Sequence, residues 1–170
     1  MRNFRVSDES GHQEAIFSWC DYNRGRYPEL KLLYHVPNGG KRDAATARAL
    51  KRQGVKAGIS DLVLPVASAG YHGLYVELKA PGGSLEQSQI DFLQEVDNQG
   101  YLALVCVGWQ AAVQTLSVYL DGAEPEAQPL KPAKAGTGIQ DNQRQEPVLY
   151  RAKANKGLLH RQGQRKGRRT

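Results

Sequence analysis

The sequence predicts an α/β fold, a mixed sheet sandwiched between helices, and three observations carry that prediction. Segments with helical spacing of apolar residues alternate with short apolar runs bounded by turn residues. One of those runs, Leu102 to Val107 (LALVCV), is apolar throughout, as a strand covered on both faces requires. A helical segment separates it from the strand before it, and parallel neighbours need such a crossover.

The elements follow in order. Ser7-Asp8-Glu9-Ser10 is rich in N-cap residues, and Glu9, Gln13, Ile16 and Cys20 then fall on one stripe of a helix, which Ala15 and Trp19 widen. Leu32 to Val36 is a short apolar run stopped by Pro37-Asn38-Gly39-Gly40, a strand entering a tight turn. Asp43 can cap a short helix that Gly54 closes. Strands are expected over Ile59 to Pro65 and Gly73 to Ala80, joined by a loop of small residues. Ser84 and Gln87 have the spacing of a capping box, opening a helix with Ile90, Leu93 and Val96 on one side and an end near Gly100. The apolar strand follows, and Trp109 to Leu120 reads as a closing helix.

Beyond Asp121 the character changes, with Pro125, Pro129 and Pro132 among Ala, Gly and Lys. The expected organisation is a folded domain over 1–122, a linker over 123–150 and a basic, disordered tail over 151–170. Residues 1–130 carry 12 Lys+Arg against 15 Asp+Glu, whereas 131–170 carry 11 against 2. The whole positive excess behind the net charge of +6 therefore lies in the last 40 residues. Such a block attracts polyanions, nucleic acid foremost; its alternative is a solubilising tail. No apolar run is long enough to span a bilayer, and the first residues lack the apolar core of a secretory signal. Two cysteines, Cys20 and Cys106, build neither a disulfide framework nor a four-cysteine zinc site; in apolar surroundings they read as buried thiols. These features point to the cytoplasm and away from membranes.

The chemistry concentrates on two neighbouring strands. Side chains alternate along a strand, so Glu77 and Lys79 project from one face, and Asp61 reaches that face if the two strands pair. Two carboxylates then converge with an ammonium. Hard oxygen ligands of that kind suit Mg²⁺ or Mn²⁺, which keeps several waters and accepts phosphate oxygens. Both strands are otherwise apolar, so the charges are expected to face a cleft or a solvated edge. By itself the pattern is weak, because Glu-x-Lys is also a common surface alternation.

A longer set of motifs narrows the reading. Gly58-Ile59-Ser60-Asp61 followed by Glu77-Leu78-Lys79 resembles the PD-(D/E)xK nuclease superfamily, with Ser60 where proline is usual. More narrowly, the chain resembles the stand-alone VRR-NUC domains of phages and prophages. The resemblance rests on D-E-x-x-x-Q from Asp8, H-V-P-N-G-G from His35, A-x-x-L-K-x-x-G-V-x-x-G-x-S-D from Ala47, L-P-V from Leu64, G-Y-H-G-L-Y-V-E-L-K from Gly70 and Q-x-x-x-L-x-x-x-x-x-x-G-Y from Gln89. These cover about residues 8–120. The resemblance implies a restriction-endonuclease-like core and a metal-dependent endonuclease acting on DNA, with Mg²⁺ or Mn²⁺ as cofactor. It implies that Asp61 and Glu77 hold the metal, that Leu78 lends its carbonyl and that Lys79 positions the water. It also implies an acid on the first helix, which Glu9 matches better than Glu14 because Glu14 lies off the stripe. Gln89 matches a glutamine that supports the site.

Further residues have two readings each. Asn38-Gly39-Gly40 can cradle a phosphate or simply form a turn. Lys41, Arg42, Arg48, Lys51, Arg52 and Lys56 surround a short helix in an otherwise acidic domain, either as DNA-backbone contacts or as a solvated face. His35 and His72 lack metal-ligand spacing and read as structural, and Trp19 and Trp109 read as core. The resemblance further implies a homodimer that cuts branched DNA such as four-way junctions, encoded by a phage or prophage and acting in a bacterial host. The competing reading is a phage accessory protein that binds nucleic acid without cutting it. Decayed nucleases lose a carboxylate or the lysine, and all three are present here.

Overall fold

The computed structural model describes residues 8–37, 43–129 and 148–151. They form an α/β sandwich on a mixed six-stranded sheet. The elements are α1 (Glu9–Asn23), a 3₁₀ turn (Pro28–Leu32), β1 (Tyr34–His35), α2 (Ala44–Arg52), β2 (Leu62–Leu64), β3 (Leu74–Lys79), α3 (Gln87–Asn98), β4 (Leu102–Val107), α4 (Trp109–Leu120), β5 (Gln128–Pro129) and β6 (Val148–Arg151). The strand order is β1-β2-β3-β4-β6-β5. The first three strands are antiparallel, and β3 and β4 run parallel, joined by α3. Strand β6 is antiparallel to β4, and the two-residue β5 runs parallel to β6.

The pleat assigns the two faces. Leu74, Val76 and Leu78 of β3, with Leu102, Leu104 and Cys106 of β4, enter a large core with Ile16 and Cys20 of α1 and Ala112, Leu116 and Tyr119 of α4. On the other face, Ala103 and Val105 meet Leu93 of α3, with Tyr75, Leu85 and Val96 at the margin. Strand β4 is buried along its whole length, which is why it reads as unbroken apolar sequence.

Local chemistry explains most element ends. Asp8 caps α1, its Oδ1 accepting from Gly11 N–H at 2.9 Å. Asp43 caps α2, accepting from Ala45 and Thr46 N–H at 2.9 and 3.0 Å. Two expected boundaries need correction. The capping box of α3 is Glu86 with Gln89, two residues beyond Ser84 and Gln87, and Gln89 Oε1 accepts from Glu86 N–H at 2.9 Å. The strand expected over Ile59 to Pro65 pairs only at Leu62–Leu64, and of the run from Leu32 only Tyr34–His35 is strand, Leu32 closing the 3₁₀ turn.

The expected domain end at residue 122 is also corrected. Strands β5 and β6 lie within the stretch expected to be linker, and Arg151, the first residue of the expected tail, belongs to the fold. Its guanidinium contacts Asp97 Oδ1 at 3.0 Å, bonds to Glu124 and lies 5.5 Å from the centre of the Tyr71 ring. The expected linker and tail over 130–147 and 152–170 lie outside the described residues. Among the described residues no helix is long and apolar enough to cross a membrane.

Candidate active site

Strands β2 and β3 stop pairing at Leu62 and Val76. Where the next rung would fall, Asp61 Oδ2 accepts from Leu78 N–H at 2.9 Å. A strand residue's N–H and C=O point to the same side, so the Leu78 carbonyl also faces the Asp61 side of β3. Asp61 is fixed from behind by its own carbonyl, which accepts from Val36 N–H at 2.8 Å and from His35 Nδ1–H at 3.0 Å. The structural reading of His35 acquires a specific content: it holds the backbone of Asp61.

Two residues apart on β3, Glu77 and Lys79 share the face covered by α3, as the alternation requires. Neither lies at a solvated edge: Glu77 has no exposed surface and Lys79 is 6% exposed. Lys79 Nζ stands 2.8 Å from Glu77 Oε1 and 3.5 Å from Glu9 Oε1. Gln89, in the first turn of α3, donates from Nε2 to the same Glu77 oxygen. Gly58 permits this approach, because a Cβ there would lie 2.4 Å from the Ser88 carbonyl oxygen, and its φ of +79° suits glycine. Asp61, Glu77, Lys79, Gln89 and Glu9 are thus brought together, whereas Glu14 is exposed on α1.

The electrostatics are those of a site short of positive charge. Burial and then the neighbouring Asp61 push the Glu77 carboxyl up to about 7, against the pull of Lys79. Burial also raises Asp61, partly offset by the Leu78 N–H. Burial alone would lower Lys79, but its contacts with Glu77, Glu9 and Asp61 outweigh that and raise it. Glu77 Oε2 is buried with no hydrogen-bond partner. An orphaned carboxylate oxygen beside a second, half-buried carboxylate fits a hard divalent cation. Among the described residues no three His, Cys, Asp or Glu side chains stand close enough to form a closed metal cage.

Beside the site lies a cleft of about 810 Å³ between α2 and the start of α3, with Leu50, Val55 and Ile59 on its walls and Lys51, Lys56 and Gln89 at its polar margin. Arg48, Lys51, Arg52 and Lys56 are exposed on or just after α2, and no residue of that helix is buried. Asn38, Lys41 and Arg42 lie outside the described residues. His72 packs against Tyr101 at 5.7 Å, and Trp19 and Trp109 pack against the larger core, as structural residues do.

Sequence reasoning passed over His12, buried on α1, whose Nδ1 accepts from Trp109 N–H at 3.2 Å. The available signal was a lone histidine three residues after Glu9, among the apolar positions of the helix. Ser60, where the motif usually has proline, is fully buried with its hydroxyl unpartnered.

Comparison with known proteins gives a consistent picture. The family described as the VRR-NUC domain matches residues 7–110. A solved structure named "VRR_NUC domain protein" is 27% identical, with a TM-score of 0.59, covering 69% of this chain and 92% of its own. No curated protein matches the chain.

Proposed function

Because this chain belongs to the VRR-NUC domain family, a family of nuclease domains, we propose that it is a divalent-metal-dependent endonuclease that hydrolyses DNA phosphodiester bonds and prefers branched DNA such as four-way junctions. One observation carries the reading: a fully buried Glu77, held on one oxygen by Lys79 and Gln89, keeps its other oxygen free beside Asp61. A structural ion pair would satisfy that oxygen; a site that takes a cation needs it open.

Asp61 and Glu77 would hold Mg²⁺ or Mn²⁺, with the Leu78 carbonyl on the same side of β3 and Glu9 reaching in from α1. An ion bound there would lower the pKa of a water and offset charge on the phosphate. Lys79 supports the negative charge that develops at phosphorus, and its contacts with Glu77 and Glu9 keep its ammonium at that place. Gln89 holds Glu77 in one rotamer, so the free oxygen keeps its direction. Lys51 and Lys56 line the cleft leading to these groups, Arg48 and Arg52 are exposed on α2, and all four would contact phosphates along the strand. A homodimer belongs to the same reading, because two symmetric sites can nick two strands of a symmetric junction together.

The test is cleavage of end-labelled four-way junction, flap, linear duplex and single-stranded DNA in Mg²⁺, Mn²⁺ or EDTA, with sedimentation for the dimer. Metal-dependent cutting that is fastest on the junction supports the proposal, and equal rates on all four substrates remove the branched preference. Binding without cutting on every substrate overturns the nuclease reading in favour of a DNA-binding accessory protein.

A further inference from the structure

We propose that His12 is a positioning residue that holds Glu9 at the Lys79 end of the site by tying the first turn of α1 to the corner between β4 and α4. The inference rests on the nuclease reading only in giving Glu9 a part in metal binding. His12 lies one turn after Glu9 on α1 and is 6% exposed. Its Nδ1 accepts from Trp109 N–H at 3.2 Å. That amide belongs to the first residue of α4, where no carbonyl of the same helix can pair with it. The residue before it, Gly108, donates its N–H to the Lys79 carbonyl at 2.8 Å. One two-residue corner therefore registers both the end of β3, which carries Lys79, and the turn of α1, which carries Glu9.

The tie matters because, beyond the Asp8 cap on Gly11, little else holds Glu9. Its side chain is half exposed, and its described contact in the site is the 3.5 Å approach to Lys79. Below it, Ala15, Ile16 and Cys20 fasten α1 to the core, but they lie further along the helix than His12. First turns of helices open readily when nothing fixes them. His12 is the buried contact nearest to Glu9, and it reaches a residue 97 positions away in the chain. The ring must be neutral to accept from Trp109, and burial lowers its pKa against the pull of Asp8 and Glu9. With Nδ1 accepting, the proton sits on Nε2, which is buried without a partner. His12 therefore acts through backbone geometry and not by handling protons at the phosphate.

The experiment uses the full chain and reads Mn²⁺ affinity by titration calorimetry alongside cleavage. The variants are His12→Asn, His12→Gln and His12→Ala, each also made with Glu9→Gln. Asparagine places an oxygen near the Nδ1 position, whereas glutamine places it near Nε2. His12→Asn is expected to keep Mn²⁺ affinity within about threefold of wild type. His12→Gln and His12→Ala are expected to lose about tenfold or more, the size typical of residues that orient metal ligands. In the Glu9→Gln background all three should bind alike, because the tie then has no carboxylate to place. If His12→Ala fails to fold, the asparagine and glutamine pair decides the matter alone. Equal affinity for those two, or losses that persist with Glu9→Gln, overturns the inference while leaving the nuclease intact. A wild-type chain that neither binds Mn²⁺ nor cuts DNA overturns both.

Discussion

The two faces of the sheet are built to different rules. Against α1 and α4 the packing is of leucines, Val76, Cys106 and the ring of Tyr119. Against α3 the apolar contact is thin, essentially Leu93, Ala103 and Val105, and the same layer buries Glu77 and Lys79. Burying a carboxylate and an ammonium seldom stabilises a fold as much as apolar residues of the same shape would. The α1–α4 face carries the stability that lets the α3 face keep groups chosen for chemistry. Strand β3 belongs to both: its even-numbered residues anchor it in the core, and Glu77 and Lys79 on its other face belong to the candidate site.

That contrast can be broken most sharply at Lys79. Lys79→Ala is expected to lower the cleavage rate by about 10²–10⁴-fold, in the range of a positioned charge or proton-handling group, with the fold retained by circular dichroism. On the opposite face, Leu104→Ala should cost about 2–5 kcal/mol in urea unfolding, as cavities in a packed core do, while the folded fraction still binds Mn²⁺. A finding that Lys79→Ala unfolds the protein, or that Leu104→Ala is silent, would erase the division of labour.

Gly58→Ala tests whether the two layers of the site are separable. Its new methyl group would meet the Ser88 carbonyl and sit at positive φ, costing on the order of 1–2 kcal/mol for the backbone alone. Pushing α3 away should detach Gln89 from Glu77 and lower Mn²⁺ affinity more than stability. Acidity provides a milder test. Glu77 has a pKa near 7 in the fold against an ordinary value near 4.5, so the folded state holds that proton more tightly than the unfolded chain. This contribution to stability is complete below about pH 4.5 and lost as pH rises through about 7. Melting temperature in EDTA should therefore fall across that window, and Mn²⁺ should restore it chiefly at the upper end.

The smallest effect on chemistry is expected beyond Arg151. Residues 152–170 hold seven Lys+Arg and no acid. Ending the chain after Arg151 should weaken DNA binding and flatten its dependence on salt, while cleavage at saturating protein stays unchanged. Ending it before Val148 should in addition lower the melting temperature, because β6 and the Arg151–Asp97 pair are then lost. Equal DNA affinity with and without 152–170 would remove the tail from the binding surface.

What was legible in the sequence was what local rules govern. Asp43 announces α2, and the two-residue repeat of β3 puts Glu77 and Lys79 side by side. The apolar run of β4 announces a strand covered on both faces. What was not legible depends on contacts between distant residues. Val148 to Arg151 is too short to declare itself after a proline-rich stretch, and it becomes a strand only because β4 offers an edge. His12 looks like any polar residue on an apolar stripe until Trp109 is folded against it. Glu86 took the cap from Ser84 because the α3 start is set by Gln89, which must also reach Glu77.

The bond from Leu78 N–H to Asp61 has a consequence of its own. Two strands that pair rung by rung resemble a zip, and this one is held open by a single tooth: a side chain occupies the place where main chain would otherwise close. Shape and charge can be parted at that tooth. Asp61→Asn should keep the gap and the slow hydrogen exchange of the Leu78 amide while stripping the charge that attracts a cation. Asp61→Val favours two more rungs of pairing, which would seal the carboxylate of Glu77 behind closed sheet. Hydrogen exchange at Leu78, read beside Mn²⁺ binding, separates an empty doorway from a shut one.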